Sequence, residues 1–176
     1  LPLAEVAEFS KGMGLPKSAI VQDGILPCIH YGELFTHYRA EIHSVTSRTN
    51  DTSLRVRSVG CDVLMPTSDV TPRGLAKASA LMVGGVALGG DILLIRPDQR
   101  QVFAPFLAHA IRYYADHVLR LVRGSTIYHL YASDISMFKL RLPPIDEQQA
   151  ICEVFRDAEE ELGLLGDRLI KARAIK

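Results

Sequence analysis

RLPPIDEQQAI, residues 141–151, is the stretch that divides this chain into two parts. Its two prolines prevent a preceding strand from continuing, because proline lacks a backbone donor. Asp146 then stands in the position of a helix N-cap, and Gln149 follows three residues later, as in a capping box. The stretch therefore predicts a globular domain at residues 1–143 and a long helix at 144–176.

The predicted helix carries the spacing of a coiled-coil seam. Its apolar positions are separated by 4, 3, 4, 3, 4 and 3 residues, and this spacing favours pairing with another helix. Gly163 and Gly166 each weaken an isolated helix by about 1 kcal/mol relative to alanine, so the segment needs a partner. That partner is a second copy or a second helix of a longer chain, and packing onto the chain's own domain is the alternative. The seam residues are Ile151, Phe155, Ala158, Leu162, Leu165, Leu169 and Ala172.

Composition indicates an ordinary folded protein. The chain has 176 residues, 48% of them apolar, and 20 basic side chains balance 20 acidic ones. That length and apolar fraction exclude a disordered tail, and the charge balance excludes a strongly basic domain. No apolar run reaches the roughly 18 residues of a membrane span and no signal peptide is visible, so we expect a cytoplasmic protein without membrane contact. Cys28, Cys61 and Cys152 form no C-x-x-C pair and are expected as reduced core residues.

Short strands bounded by glycine and proline at irregular spacing favour an α+β fold with a twisted mixed β-sheet in the first domain. The predicted elements are a buried strand containing Ile25, Cys28 and Ile29, strands within 60–66 and 85–97, an amphipathic helix over 102–122 ended by Gly124, and a last strand at 138–142.

Motifs for catalysis and metal binding are not found in the sequence. The six histidines form no H-E-x-x-H, and the glycine-rich loops form neither a Walker motif nor G-x-G-x-x-G. No G-x-S-x-G elbow is present. We therefore expect no catalytic residue, no metal site and no resident cofactor. The loops instead carry serine, threonine, arginine and lysine, which bind phosphates and base edges but also occur in any solvated loop.

Six stretches, in chain order, resemble the specificity subunit of bacterial type I restriction-modification systems. They are VAEFSKGMGLPK at 6–17, YGELFT at 31–36, DVLMPTS at 62–68, ALGGD at 87–91, GSTIYHL at 124–130 and LPPIDEQQAI at 142–151.

The resemblance implies a non-catalytic subunit whose globular target-recognition domain reads one half of a split site in double-stranded DNA. Its long helix would form a coiled-coil spacer that also docks methyltransferase subunits, which carry S-adenosylmethionine. A motor/endonuclease subunit would use ATP and cut the DNA. The DNA-binding residues that we nominate lie in the matching loops: Lys11, Gly12, Lys17, Tyr31, Thr67, Ser68, Arg73, Lys77, Arg123, Ser125, Thr126 and His129.

The chain departs from typical members of that family, which have two recognition domains and two helical regions. It looks like half a subunit, either a natural half-length form that pairs as a homodimer or with a second half-subunit, or an excised portion of a longer protein. Two other functions stay open: a protein-interaction module without a DNA role, and the recognition domain of a fused restriction-methylation enzyme. The bases that are read do not follow from sequence, because readout depends on side-chain positions in the groove.

Overall fold

Two β-sheets form the body of the protein, which a computed structural model describes over residues 1–174. In chain order the strands are β1 (Ala7–Lys11), β2 (Ile20–Val21), β3 (Leu26–Ile29), β4 (Glu41–Ile42), β5 (Arg48–Thr49), β6 (Arg57–Val59), β7 (Asp62–Pro66), β8 (Ser68–Asp69), β9 (Ser79–Leu81), β10 (Gly84–Leu88), β11 (Ile92–Pro97) and β12 (Tyr128–His129). The α-helices are α1 (Glu33–Thr36), α2 (Ala104–Tyr113), α3 (Ala115–Leu119), α4 (Ala132–Ile135) and α5 (Ile145–Ala174), and short 3-10 turns cover Leu3–Glu5, Lys17–Ala19 and Pro72–Ala76.

The first sheet has the strand order β1-β11-β7-β9-β4, and the second has the order β2-β5-β3-β10-β6. Most neighbouring strands are antiparallel, but β3 runs parallel to β10 and β4 runs parallel to β9. The predicted α+β fold with mixed sheet and a long C-terminal helix is confirmed. The strands are not in one sheet as predicted but are divided among two five-stranded sheets and a two-stranded ribbon of β8 and β12. The segment 85–97, predicted to contain one strand, contains β10 and β11, which belong to different sheets.

Strands β7 and β11 form a wall between two hydrophobic cores. They pair antiparallel, with Val63 opposite Ile95 and Leu64 opposite Leu94. Because successive side chains of a strand point to opposite faces, the first pair packs with helix α2 and the second pair packs with residues of the second sheet. Burial on both faces explains why these strands read as continuous apolar runs.

The prediction of a buried Ile25 is wrong. Strand β3 begins at Leu26, which lies opposite Thr49, and Ile25 falls just outside this ladder and is exposed. Cys28 and Ile29 are buried as predicted. The three cysteines are free thiols, although Cys61 is only partly buried.

The helix predicted over 102–122 is two helices. Tyr114, with φ −89° and ψ 30°, leaves the helical conformation between α2 and α3. Apolar spacings of three and four continue across this break, so periodicity could not reveal it. Gly124 is not the C-cap, because α3 ends at Leu119 and Arg120 follows it. With φ +115°, Gly124 instead forms a later turn.

The strand predicted at 138–142 is reduced to a single bridge between Pro2 and Lys139. The backbone nitrogen of Leu3 donates to the Phe138 carbonyl at 3.0 Å, and Leu140 donates to the Leu1 carbonyl at 2.9 Å. The ladder does not continue past Pro2, because the 3-10 turn Leu3–Glu5 follows directly.

Helix α5 begins at Ile145, one residue before the predicted cap. Its first intrahelical bond runs from the Gln148 nitrogen to the Pro144 carbonyl at 3.1 Å, which makes Pro144 the N-cap and places Asp146 inside the first turn. The predicted capping box is therefore wrong. Asp146 and Glu147 still lie at the positive end of the helix dipole, where acidic side chains are stabilising.

Gln148 connects α5 to the globular body. Its side chain is fully buried, and its Oε1 accepts a hydrogen bond from the Phe103 nitrogen at 2.8 Å. Its Nε2 donates to the carbonyls of Gln101 and Pro143 at 2.8 and 2.9 Å. The glutamine thus satisfies three backbone groups at the junction between the start of α2 and the first turn of α5.

The next two turns of α5 also pack on the body. Cys152 is buried, and Phe155 stacks on His109 of α2 with ring centroids 4.5 Å apart. The Arg156 Nε lies 3.1 Å from both carboxylate oxygens of Glu41, a nearly buried side chain of β4. Beyond residue 159 every described helix residue is exposed, so only the first turns of α5 rest on the domain.

Candidate nucleic-acid interface

A small β-ribbon joins two of the segments that the sequence nominated for DNA binding. Strand β8 pairs antiparallel with β12, with Ser68 opposite His129. Arg123 forms a further bridge to His129, through backbone hydrogen bonds of 2.9 and 2.7 Å. Arg123, His129 and Ser68 are therefore neighbours across the ribbon, although up to 61 positions separate them along the chain.

Lys11 lies next to this ribbon. Its Nζ lies 3.0 Å from Asp91, whose other contact is the Thr67 hydroxyl at 3.3 Å. Lys11, Thr67 and His129 line one cleft of about 100 Å³ together with Tyr131. The hydrogen bond from Lys11 holds the pKa of the Asp91 carboxyl below its usual range, so Asp91 stays ionised and fixes the ammonium group in place.

Arg123 is held over an aromatic ring. Its guanidinium lies 2.5 Å from Asp134 and 5.9 Å from the centroid of Tyr131. The Tyr131 ring also stacks with His129, at a centroid distance of 6.1 Å. These contacts orient the guanidinium while two thirds of the Arg123 side chain remains exposed.

The 3-10 turn Pro72–Ala76 packs against both ribbon strands. It contains the nominated Arg73, and the nominated Lys77 follows it directly. Arg73 reaches Asp116 of α3 at 3.0 Å. The Lys77 Nζ donates to the Phe35 carbonyl at 3.0 Å and lies 5.7 Å from the centre of the Phe35 ring. Phe35 in turn makes an edge contact with Tyr31 at 6.2 Å, so Lys77 and Tyr31 belong to one cluster beside the ribbon.

We use the name recognition face for the surface formed by the ribbon, the turn at residues 124–127 and the adjacent Lys11. It contains seven of the nominated residues. They are Lys11, Thr67, Ser68, Arg123, Ser125, Thr126 and His129. Ser125 and Thr126 are exposed in the turn that Gly124 opens.

Two nominated residues lie apart from the recognition face. Gly12 is buried, and a Cβ there would come within 2.0 Å of the Gly89 carbonyl oxygen. This glycine therefore allows the end of β1 to approach the backbone at Gly89. Lys17 is exposed in the 3-10 turn Lys17–Ala19. Whether any of the twelve residues contacts DNA stays a prediction.

The cations of the recognition face are paired with acids, which sequence reasoning missed. Lys11 is paired with Asp91 and Arg123 with Asp134. The Lys11–Asp91 pair is exposed, and such pairs contribute only about 0–1 kcal/mol, so a phosphate or base can replace Asp91. In the second pair Asp134 is only 15% exposed, so it positions Arg123 while the exposed part of the guanidinium stays available. Asp91 ends the matched stretch ALGGD and Asp134 lies in the short helix α4, but only the fold brings each acid to its cation.

The seam of α5 forms a second candidate interface. Ile151 is half-buried against the body, whereas Phe155 and the five later seam residues are exposed. Leu162, Leu165 and Leu169 form an exposed apolar row along the part of α5 that extends beyond its contacts with the body. The alternative that the seam packs onto its own domain therefore applies only to its first turns.

Over the described range 1–174, no group of three or more histidine, cysteine, aspartate or glutamate side chains is arranged to hold a metal ion. None of the helices in that range is both long enough and apolar enough to span a membrane.

Comparison with known proteins identifies the family. A family model described as type I restriction modification DNA specificity domain matches residues 2–171. None of the curated proteins compared is significantly similar in sequence.

Solved structures share the fold. The type I restriction-modification S subunit from M. genitalium aligns with 95% of the chain at a TM-score of 0.65 and 15% identity. The HsdS subunit from Thermoanaerobacter tengcongensis aligns with 94% at 0.65 and 16%. A structure that addresses complex assembly and conformational transition of the type I R-M system aligns with 94% at 0.69 and 16%. The chain spans only 40%, 38% and 39% of these three chains, respectively. From the match over residues 2–171, the chain belongs to the type I restriction-modification DNA specificity domain family.

Proposed function

We propose that this chain is a non-catalytic DNA reader that recognises one half of a bipartite site and pairs with a second copy through α5. The observation that carries the proposal is the convergence of three distant segments on the recognition face, which holds seven of the twelve nominated residues. A domain with one reading surface and one exposed helical seam suits a pair of readers joined by a spacer.

The recognition face has the chemistry for reading base edges. Lys11 and Arg123 donate hydrogen bonds of the kind that identify guanine in the major groove. Asp91, whose side chain is 45% exposed, is an acceptor of the kind that matches the amino group of cytosine. Donors and acceptors in fixed positions favour sequence reading over simple attraction to phosphates, in agreement with a net charge of +0.

The seam of α5 is complementary to itself in an antiparallel pair. When two copies are centred on Leu162, that leucine meets its equivalent and every other seam residue meets a seam residue. Phe155 then lies opposite Leu169, and Ala158 lies opposite Leu165. Ile151 meets Ala172 in the outermost layer. Large residues face small ones in two of these layers, which suits close packing.

The charges of α5 favour the same antiparallel arrangement. Residues 145–161 contain seven acidic side chains and one basic side chain, whereas residues 162–174 contain three basic and one acidic. An antiparallel pair places each acidic half beside the basic half of the partner helix. A parallel pair would place the two acidic halves together, and like charges on facing helices are destabilising.

The antiparallel pair separates the two domains by a distance that suits DNA. Gln148 anchors α5 fourteen residues before Leu162, so the two anchors lie about 40 Å apart at 1.5 Å per residue. This is close to the roughly 34 Å turn that separates half-sites of other dimeric DNA-binding proteins. Because the pair has twofold symmetry, the two half-sites would be inverted repeats.

A methyltransferase subunit is the further partner in this proposal. Leu164 lies about 200° around the helix from Leu162, so it faces away from a paired seam. It is 55% exposed, and Ile170, also outside the seam, is exposed too. Both side chains stay uncovered after pairing and suit a second protein. S-adenosylmethionine and ATP belong, in this proposal, to the methyltransferase and motor subunits.

DNA binding is tested by fluorescence anisotropy with mixed-sequence duplexes at about 50 mM salt, where even nonspecific binding is strong. We expect Arg123→Ala to weaken binding by about 1–3 kcal/mol at a temperature at which the variant is fully folded. Arg100→Ala is the matched control, because Arg100 is an exposed arginine paired with Asp98 away from the recognition face. Co-expression with the neighbouring methyltransferase, followed by mapping of methylated adenines, then identifies the site.

The outcomes distinguish the other functions. Absence of binding to every duplex would reject DNA reading in favour of a protein-interaction module. Equal losses for both arginine variants would place the contact outside the recognition face. A parent gene that continues into a methyltransferase would indicate a recognition domain within a fused restriction-methylation enzyme.

A further inference from the structure

Two aliphatic side chains are exposed at the open end of the ribbon. Val70 follows β8 directly and Ile127 precedes β12, with 72% and 53% of their surfaces exposed. The register pairs Asp69 with Tyr128 and Ser68 with His129. The same register, continued by one residue, places Val70 opposite Ile127.

The ribbon directs these aliphatic side chains to the same side as the nominated DNA contacts. Alternate residues of a strand share a face, and so do residues directly opposite each other. Ser68, Val70, Ile127 and His129 therefore share one face. Tyr128, on the other face, packs on the hydrophobic core. The two aliphatic groups thus lie within the recognition face and not on an unrelated surface.

The turn that presents Ile127 is tightly folded. Gly124 has φ +115°, and a Cβ on it would lie 2.1 Å from the Ile127 carbonyl oxygen, so the chain folds back very closely there. The base of the ribbon is fixed by Leu130, which is buried and donates to the Thr67 carbonyl at 3.0 Å. The hydrogen-bonded base and the tight turn hold Ile127 next to the ribbon.

We infer that Val70 and Ile127 read the 5-methyl group of thymine in the major groove. This inference rests on the proposed function, DNA reading. The major groove admits a two-stranded β-ribbon, and the thymine methyl is the apolar group on its base edges. In the proposed complex, the two exposed aliphatic groups contact the thymine of an A·T pair. The hydrogen-bonding side chains around them contact the neighbouring bases.

An apolar wedge between base steps is the other way in which aliphatic side chains contact DNA. A wedge unstacks bases from the minor-groove side and kinks the duplex. Its affinity depends on stacking and not on the thymine methyl, so the two contacts respond differently to removal of that methyl.

The test uses the whole chain and a duplex selected from a random pool for tightest binding. Each thymine of that duplex is replaced in turn by deoxyuridine, which lacks only the 5-methyl group, and affinity is measured by anisotropy. We expect about fourfold weaker binding at one or two positions, the fold-change that corresponds to roughly 0.8 kcal/mol for one buried methylene. Ile127→Ala or Val70→Ala should bind the thymine and deoxyuridine duplexes equally at those positions.

Val59→Ala is the matched control, because Val59 is an equally exposed aliphatic residue at the end of β6, away from the ribbon. It should keep the full thymine preference. Tight binding that is indifferent to every deoxyuridine replacement, or a selected duplex without thymine, would overturn this inference and leave DNA reading intact. Absence of binding to all duplexes would overturn both.

Discussion

Substituting Leu162 by glutamate should disrupt self-association of the chain. Leu162 is 67% exposed in the single chain and lies at the twofold axis of the proposed antiparallel pair. Full burial of a leucine side chain stabilises by about 1.5–3 kcal/mol. Two thirds of that benefit, about 1–2 kcal/mol, is therefore available to each copy when the helices pair.

The substitution acts twice in the dimer, because both copies meet at the axis. Loss of both leucines removes about 2–4 kcal/mol of the association free energy. Two glutamates at the axis add like-charge repulsion and the cost of burying charges. We therefore expect the dissociation constant of Leu162→Glu to rise at least a hundredfold, since about 1.4 kcal/mol corresponds to a factor of ten.

Sedimentation equilibrium over a range of protein concentrations measures this shift. Leu164→Glu is the matched control, because it makes the same change on the same helix at a residue outside the seam, and it should leave the dimer intact. A dimer of unchanged affinity in Leu162→Glu would refute the pairing centred on this leucine. A wild-type chain that stays monomeric at every concentration would refute self-pairing, in favour of a second helix from a longer chain.

Two further predictions concern stability. Gln148→Ala should lower the free energy of unfolding, measured by denaturant titration, by about 3 kcal/mol, because three buried backbone groups lose their partners. Gln149→Ala is the control at the exposed neighbouring position and should change that free energy little. Burial raises the pKa of the Cys28 and Cys152 thiols from 9.0 to about 11, so the unfolded chain ionises first as pH rises. The unfolding free energy should be independent of these thiols below pH 9 and should fall between pH 9 and 11, and a constant value across that window in alkaline denaturation curves would contradict thiol burial.

The long helix was the most predictable part of the chain. The seam from Ile151 to Ala172 repeats at a period that needs no knowledge of other contacts, and α5 does extend over those residues. Its beginning was less predictable. Asp146 and Gln149 fit the usual capping pattern, but in the structure Gln148 is the side chain that ties the start of α5 to the body. Only the fold brings the backbone of Gln101 and Phe103 to that side chain.

The recognition face shows a similar limit. Nominating Lys11, Thr67 and His129 required only residue types and matching stretches. Their common cleft and the acids that hold the cations depend on strand pairings between distant segments. Asp91, for example, meets Lys11 because β1 and β11 are neighbours in the sheet, and no local pattern encodes that contact.

By itself, the sequence determined the class of the fold, the periodic seam and the family, since each depends on local composition, short-range spacing or ordered motifs. Tertiary structure alone decided which residues share a surface. The ribbon β8–β12 and the exposure of Val70 and Ile127 arise from the register between segments some sixty residues apart. Such pairings are selected by burial of the whole core, so they cannot be read from either segment alone.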